Sequence, residues 1–304
     1  MKKAFLQLHL SVFLAGFTGI LGKLISLNEG LLTWYRLFIT AVTLLVIFLW
    51  RGMLKKVPFR DVLIIGSNGA IIGLHWVFFY GSIKYANVSI GVVCFSLTSL
   101  FTALFDPLIN RRRFDAAELL LSLLTLCGIL LIFHFNTSYR TGIILGIISS
   151  GFAALFTVFN KRLVKRFDTY TLGFYEVMAG TLFITLLLPV YLSQTTPPVT
   201  SLLPSWQDAF YLLALSWACT IWLYALNLSS LKKISAFTVN LCFNLEPVYS
   251  ILLAFLLFEE NKYLGWTFYV GLLCIMLSVL LQMMRVLRQH RLEKQLSANP
   301  IRPE

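Results

Sequence analysis

The chain has 304 residues, of which 58% are hydrophobic and only 12% are charged, and its formal net charge is +12. Soluble domains usually carry about a quarter charged residues, so a water-soluble fold of this size could not cover its own surface. Several apolar runs reach the roughly 20 residues that a helix needs to cross a membrane, and the short alternating segments of a transmembrane barrel are absent from the sequence.

The apolar runs predict ten membrane-spanning helices joined by short connections. The first 20 residues also match a secretory signal peptide, because two lysines precede an apolar stretch. We favour a first span, since the internal repeat described below requires it. The sequence therefore predicts an all-α integral membrane protein surrounded by the lipid bilayer. The predicted spans cover residues 4–26, 31–50, 61–82, 88–109, 115–135, 141–160, 169–192, 206–227, 234–257 and 263–285.

The basic residues lie in the connections between the spans and not in a patch that would bind nucleic acid. With the N-terminus inside, 20 of the 25 Lys and Arg residues fall on the inner side, four fall on the outer side, and Arg36 lies within the second span. The positive-inside rule then predicts a multi-pass protein of the bacterial cytoplasmic (inner) membrane, with both termini cytoplasmic and the loop 194–206 outside.

The five cysteines all lie inside apolar runs. This placement favours small buried hydrophobic residues over a disulfide or a metal centre. The spacing of His, Cys and acidic residues matches no metal-ligand motif, so the sequence predicts neither a metal nor a cofactor.

The two halves of the sequence resemble each other. CFSLTSLFTALF at 94–105 aligns with CFNLEPVYSILL at 242–253, and WYRLFITAVTLLVIF at 34–48 aligns with FYEVMAGTLFITLLL at 174–188. We predict two five-helix repeats, 1–138 and 139–285, followed by a basic cytoplasmic tail, 286–304. Because five is odd, the second repeat enters the membrane in the opposite sense. Inverted-topology repeats are typical of secondary transporters, whose substrate site lies near the midplane between the repeats.

On these residues the chain resembles the EamA family of the drug/metabolite transporter superfamily. The matching features are Arg36 in the second span, FNLEPVYSILLAFLLFEE at 243–260, its first-half counterpart FSLTSLFTALF, and Gly271 in the last span. The resemblance implies a ten-helix permease with a central cavity bounded by both repeats. It also implies efflux or exchange of amino acids or other small metabolites.

Glu246 and Pro247 lie near the middle of the ninth span. A carboxylate is costly there, so it marks an ion path, a proton relay or a substrate contact. Pro247 cannot donate a backbone hydrogen bond, so a carbonyl near Phe243 is freed or the helix bends. We predict a coupling or gating role for both residues, with a coupling proton at Glu246. The alternative is a structural glutamate that fixes the interface between the repeats.

Asn240 and Asn244 lie one helical turn apart and therefore share a face of the ninth span. In a continuous helix Glu246 lies about 200° from Asn244, so the asparagines and the glutamate cannot both face one cavity. We predict that the asparagines contact the substrate, together with Ser96 and Thr98 in the fourth span. The alternative role for the asparagines is hydrogen bonding between helices.

Aromatic residues cluster in the third and eighth spans. His75, Trp76, Trp222 and Tyr224 suit a cavity for an amphipathic or aromatic small-molecule substrate, and we predict them as substrate contacts. Such residues also suit the interfacial aromatic belt, to which we assign Tyr80 because it lies near a span end. For His75, a hydrogen-bonded structural role is the alternative to a titrating one.

Arg36 and Glu176 occupy matching positions in the two repeats. Inversion places them toward opposite sides of the membrane, so we expect no direct salt bridge between them. Each is predicted to guard one gate or to bind substrate. An Arg36 side chain that snorkels to the interface is the alternative.

Small residues recur at helical spacing in the first, third and sixth spans. Rows of this kind let helix backbones approach closely, so we predict a packing role. The rows are Gly16, Gly19 and Gly22; Gly69 and Gly73; and Gly142, Gly146 and Ser150.

The leading functional hypothesis is a secondary transporter. The sequence has no phosphate-binding motif of the form GxxxxGK[ST], so a gradient or exchange must supply the energy. An intramembrane enzyme would need a convergent nucleophile–base pair or metal set, whereas the four histidines fall at different depths. An ion channel is a third alternative, but the chain lacks a filter motif.

Overall fold

The computed structural model describes residues 2–133, 139–194, 202–258 and 265–298. Thr196, the Glu259–Glu260 pair and Lys262 lie outside these ranges. The described helices are α1 (Lys2–Leu24), α2 (Glu29–Trp50), α3 (Phe59–Tyr85), α4 (Val88–Phe95), α5 (Thr98–Asn110), α6 (Ala116–Phe133), α7 (Arg140–Leu163), α8 (Thr169–Gln194), α9 (Trp206–Ser216), a π-helical segment (Trp217–Trp222), α10 (Leu223–Leu231), α11 (Ala236–Phe243), α12 (Glu246–Phe258) and α13 (Trp266–Ala298).

Each predicted span overlaps helical structure, but the helices differ in length and hydropathy. Eight helical stretches are long and apolar enough to cross a membrane, and two shorter apolar helices coincide with the fifth and tenth predicted spans. The chain is therefore a helical membrane protein. The shorter helices are Ala116–Leu131 and Tyr269–Arg285, and the eight long stretches are Lys2–Leu24, Glu29–Trp50, Phe59–Tyr85, Val88–Asn110, Arg140–Leu163, Thr169–Gln194, Trp206–Leu231 and Ala236–Leu257.

The fourth and ninth predicted spans are each interrupted near their middle. One interruption lies between Phe95 and Thr98, and the other lies between Phe243 and Glu246. At both places the backbone forms i→i+3 hydrogen bonds, which tighten the turn and rotate the helix that follows. Pro247 contributes to the second break because it has no N–H to donate. At the first break, the Thr98 hydroxyl donates to the Phe95 carbonyl at 2.6 Å. The break in the ninth span lies where Pro247 led us to expect a freed carbonyl or a bend, whereas the break in the fourth span was not predicted.

Matching positions in the two halves cap matching helices. Asn28 caps α2 through the N–H of Leu31, and Asp168, 140 residues later, caps α8 through the N–H of Thr171. Asn87 and Ser235, which differ by the other repeat offset of 148, accept from the first turns of α4 and α11. Each cap satisfies a backbone donor that the helix itself leaves unpaired.

Two pairs of helices at matching positions of the two halves, α2–α8 and α6–α13, pack against each other in antiparallel fashion. In the α2–α8 pair, Trp34 Nε1 donates to Thr185 Oγ1 at 2.8 Å, and the Phe48 and Phe174 rings stack with centroids 4.8 Å apart. Both contacts join the start of one helix to the end of the other. The matching helices α6 and α13 run antiparallel in the same way. In the fourth and ninth spans, α5 runs antiparallel to α11, which is the counterpart of α4.

Small residues allow the helix backbones to touch. A Cβ atom added to Gly69 of α3 would lie 2.1 Å from the carbonyl oxygen of Glu176 in α8, and one added to Gly180 would lie 2.6 Å from the Gly69 carbonyl. The α1 helix belongs to the same bundle, because the Ser250 hydroxyl donates to the Gly16 carbonyl at 2.7 Å. Glycine is therefore required at the α3–α8 crossing.

Candidate functional site

A central cavity of about 80 Å³ lies between the two halves of the chain. A single water needs roughly 10–15 Å³, so this space holds several waters or a small solute. Its walls are mostly aromatic and apolar with a few polar groups, which is the usual composition of a solute-binding site. The predicted site residues that line it are Arg36, His75, Trp76, Tyr224, Asn240 and Glu246.

Arg36 is 2% exposed and is fixed by three hydrogen bonds. Its Nε donates to Thr220 Oγ1 at 2.7 Å, one Nη donates to the Tyr80 hydroxyl at 2.6 Å, and the other donates to the Cys219 carbonyl at 2.7 Å. The guanidinium carbon also lies 4.0 Å from the centre of the Trp76 ring, a cation–π contact. Arg36 is therefore held in the interior and does not snorkel to the interface.

Two partners of Arg36 lie on the π-helical segment. A π-helical turn departs from the regular i→i−4 ladder, and such turns are frequent at functional sites. Here Thr220 Oγ1 donates to the Leu215 carbonyl at 2.9 Å and accepts from Arg36. Thr220 and Cys219 were not predicted as site residues, because no residue pattern distinguishes a π-helical turn from an α-helical one. Tyr80 was predicted to lie in the aromatic belt, but it is fully buried.

Glu246 lines the cavity together with Asn240. The expectation that these two residues point in different directions was wrong, because the break at residues 244–245 rotates α12 relative to α11. Asn244 instead directs its Nδ2 toward Ser99 Oγ at 3.2 Å, away from the cavity lining. The Glu246 side chain is 3% exposed, and its carboxylate accepts no hydrogen bond from the residues that the structure describes.

Asn240 connects three helices as well as lining the cavity. Its Oδ1 accepts from Thr157 Oγ1 of α7 at 3.0 Å, and its Nδ2 donates to Thr102 Oγ1 of α5 at 2.7 Å. The interhelical hydrogen bonding predicted as the alternative role is therefore present, and the same amide borders the cavity. A substrate that bonds to it must compete with one of these threonines.

Glu176 lies outside the cavity lining but is connected to it. Its Oε1 accepts from Asn68 Nδ2 at 2.7 Å, and its Oε2 accepts from the hydroxyl of Tyr224, which lines the cavity. Glu176 is completely buried. As expected, it forms no salt bridge with Arg36, whose donors point to other residues.

His75 is held by α7. Its Nδ1 lies 2.8 Å from the Ser149 hydroxyl and 3.1 Å from the Ser149 carbonyl, and that hydroxyl donates to the His75 carbonyl at 3.0 Å. A carbonyl only accepts, so Nδ1 carries the proton in this arrangement. The ring packs between Phe79 and Phe95, with centroid distances of 5.8 and 5.3 Å. These contacts fix the face of the imidazole that borders the cavity.

The remaining predicted residues lie away from the cavity. Ser96 and Thr98 are fully buried at the first helix break, and Pro247 follows Glu246 at the start of α12. Trp222 is 68% exposed on the outer surface of the bundle. Trp222 was predicted to line the cavity because it lies with other aromatic residues of the third and eighth spans. Its side chain points outward instead.

Polar contacts join the helices at the end of the bundle where α2 and α7 finish. We call this the basic end. Asp168 there accepts from Lys55 Nζ at 2.9 Å and from the backbone N–H and hydroxyl of Thr171 at 3.0 and 2.7 Å. Partial burial opposes ionisation, but these hydrogen bonds outweigh it and lower the pKa of Asp168 to about 2.

The opposite end is joined by a second set of contacts. Asp208 of α9 accepts from the N–H and the hydroxyl of Ser26 at 2.7 and 2.6 Å. The Tyr191 hydroxyl of α8 donates to Glu29 of α2 at 2.7 Å. Polar bonds between different helices therefore join the bundle on both sides of the central cavity.

Comparisons with known proteins agree with this architecture. A family model described as the EamA-like transporter family matches residues 2–134 and again residues 140–284. A solved structure titled "Crystal structure of protein" is similar, with a TM-score of 0.69 and 17% identity, over 95% of this chain and 99% of that one. At this identity the likeness shows the fold alone. No curated protein matches the chain significantly.

Proposed function

Because this chain belongs to the EamA-like transporter family, we propose that it is a secondary transporter that moves a small organic metabolite across a bacterial cytoplasmic membrane. The substrate is an amino acid or a related solute, and transport is efflux or exchange by alternating access. The observation that carries the proposal is the cavity in which Arg36 and Glu246, two buried and oppositely charged groups, share one aromatic-lined space. Buried charges of this kind mark substrate and ion paths.

The architecture we propose is ten spans in two inverted repeats, 1–138 and 139–285, with a basic tail at 286–304. The doubled family match, the caps at matching positions and the paired helix breaks support a duplication. The antiparallel packing of matching helices supports inversion, because an axis along the membrane normal would make them parallel.

The basic end is proposed to face the cytoplasm, since most Lys and Arg residues lie in its connections and tail. Both termini are then cytoplasmic and the loop 194–206 is external. A single cysteine introduced at Thr196, in a variant without the native cysteines, should react with a membrane-impermeant maleimide on intact cells. Reaction only after permeabilisation would reverse this orientation.

The charges of the cavity indicate the chemistry of the substrate. Glu246 has no donor among the described residues, so it can accept from a substrate ammonium group. Three of the five N–H groups of Arg36 donate to protein acceptors, so two are left for a substrate carboxylate. The aromatic walls suit an apolar substituent. A zwitterion with an apolar side chain satisfies all three features.

When the substrate leaves, Glu246 is proposed to take up the coupling proton. The Glu246→Gln variant imitates the protonated side chain, so exchange should continue while uphill transport driven by a pH gradient should stop. Both fluxes are measured on the same proteoliposomes, and the melting temperature shows whether the fold is intact. Uphill flux at the wild-type rate would eliminate the proton role. An equal loss of both fluxes with a lower melting temperature would make Glu246 structural.

Asn240 and Asn244 form a matched pair for testing the cavity. Both are buried and lie one turn apart, but only Asn240 lines the cavity. Asn240→Ala should weaken the apparent affinity in flux measurements. Asn244→Ala should affect stability alone, which revises the sequence-based choice of both residues. A larger affinity loss at Asn244 than at Asn240 would place the substrate elsewhere.

An intramembrane enzyme is the rival from a different class, although members of this family are generally not enzymes. A metal-dependent enzyme needs a cluster of ligands, and the described residues contain no group of three His, Cys, Asp or Glu that could hold a metal ion. In an ion channel, flux would rise with solute concentration without reaching a maximum. Saturable flux of labelled amino acid into proteoliposomes, with the solute recovered unchanged, distinguishes the transporter from both alternatives.

A further inference from the structure

A buried cluster of oxygen atoms lies beside the central cavity, toward the basic end. It is formed by Asn68, Asn160, Glu176 and Tyr224, which we call the Glu176 cluster. Counted along their helices at 1.5 Å per residue, these residues lie roughly 5–14 Å from the helix ends at the basic end. Asn68, Asn160 and Glu176 are at most 1% exposed. The cluster is thus sealed from the lipid.

The hydrogen bonding of the cluster is incomplete. The Asn68 amide donates to Glu176, but Asn68 Oδ1 has no hydrogen-bond partner within the described ranges. The Asn160 amide interacts with both the Glu176 carboxylate and the Tyr224 hydroxyl, yet neither of its polar atoms makes a well-formed hydrogen bond. Buried polar groups are nearly always paired, so unpaired oxygens on two neighbouring asparagines require a reason.

The charge of the cluster is also uncompensated. Within the described ranges, the ion pairs of the protein join other residues and none involves Glu176. A carboxylate buried without a counter-charge carries a large desolvation penalty. One positive charge at this place would remove it. A divalent ion would leave an excess charge in the interior of the membrane.

We propose that the Glu176 cluster is a binding site for a monovalent metal cation, Na⁺. The cluster offers five oxygens: two from the Glu176 carboxylate, Oδ1 of Asn68, Oδ1 of Asn160 and the hydroxyl of Tyr224. Without the cation Asn68 presents its Nδ2 to Glu176, so its amide turns over to bring Oδ1 to the ion. Carboxylate and amide oxygens are the ligands of hard cations, and one carboxylate balances one charge. A bound proton would satisfy one acceptor, whereas a cation satisfies the unpaired oxygens together.

Tyr224 connects the proposed cation to the substrate cavity, because it belongs to both. A cation that holds the Tyr224 hydroxyl fixes the ring that forms part of the cavity wall. Substrate affinity should then depend on Na⁺, and by linkage Na⁺ affinity should depend on substrate. This coupling rests on the proposed transport function, whereas binding of the cation does not.

Binding is tested by the thermal stability of the purified full-length protein in NaCl, KCl and choline chloride at equal ionic strength. A ligand that binds the folded state raises the melting temperature, so about 100 mM NaCl should raise it by several degrees relative to choline. Glu176→Gln and Asn160→Leu should each remove the Na⁺-dependent rise. Glu246→Gln is the matched control, because it removes another buried carboxylate and should keep the rise.

The possible results separate clearly. No Na⁺-specific rise in the wild-type protein overturns the proposal, even where a variant fails to fold. A rise that persists in both variants places the cation elsewhere and also overturns it. A rise with acidification in place of sodium, lost in Glu176→Gln, assigns the cluster to a proton. Sodium-dependent stability without any solute flux would keep the cation site and reject the proposed function.

Discussion

The crossing of α3 and α8 at Gly69 offers the sharpest test of the fold. Replacing Gly69 by alanine adds a Cβ atom 2.1 Å from the Glu176 carbonyl oxygen, whereas ordinary contact begins at 3.4 Å. The two helices must therefore separate by about 1.3 Å along that line. The obstacle is backbone and not a flexible side chain, so no rotamer change relieves it.

The expected cost follows from this overlap. Overpacking of a rigid interior typically costs roughly 1–3 kcal/mol, and a clash between backbones belongs at the upper end or beyond. The shift also separates the Asn68 amide from Glu176, which now lie 2.7 Å apart. We expect Gly69→Ala to lower the melting temperature of the purified protein by several degrees and to abolish the Na⁺-dependent rise.

Gly151 is the matched control, because it lies in the middle of α7 and a Cβ atom there meets nothing within 4 Å. An alanine in an open helical position stabilises by roughly 0.5–1 kcal/mol, so Gly151→Ala should keep or raise the melting temperature. The two variants introduce the same methyl group and differ only in its surroundings. Equal melting temperatures for both would refute the close α3–α8 crossing.

Other residues give further expectations. Arg36→Lys should lower both stability and flux, since one ammonium cannot reproduce three directed bonds; melting and flux are measured together, and wild-type values in both would contradict the fixed guanidinium. The pKa of Asp168 is about 2, below the roughly 3.9 of an unfolded chain, so its contribution is complete above about pH 5 and disappears as the pH falls toward 2. The melting temperature should therefore fall more steeply over that pH range in the wild type than in Asp168→Asn. Parallel plots of melting temperature against pH would contradict a stabilising role for the ionised Asp168 side chain. Trp76→Ala should weaken substrate affinity while the outward-facing Trp222→Ala should not, as flux titrations will show; the reverse order would be inconsistent with the cavity assignment.

Sequence reasoning found the helices because membrane spans depend on hydropathy and length, which are local properties. It found the matched segments of the two halves because a duplication leaves similar residues at a constant spacing along the sequence. Arg36, Glu176 and Glu246 were singled out for the same reason: an ionisable side chain in an apolar run is conspicuous in the sequence alone. Their burial in the structure agrees with that physical argument.

The wrong predictions concern side-chain directions on either side of a break or a π-helical turn in a helix. The asparagines and Glu246 were assigned to different faces of one uninterrupted helix, but the tight turn between α11 and α12 lets Asn240 and Glu246 line the same cavity. Asn244 alone points away from it, toward Ser99. Trp222 was grouped with its neighbours, but the π-helical segment ends at this residue and its side chain points outward. A local departure from the α-helix changes the direction of every side chain after it, and no periodicity rule contains that information.

The two repeats place opposite charges at matching positions, and the protein treats these charges differently. Arg36 is supplied with three acceptors and an aromatic face from its own chain, which occupy three of its five N–H donors. Glu176 has two donors, no counter-charge among the described residues, and unpaired oxygens beside it. In the two proposals above, Arg36 is completed by the substrate carboxylate and Glu176 by a cation. In the proposed inverted repeat this difference in charge makes the two closed states unequal in free energy, because only the state that closes around Glu176 depends on the proposed ion.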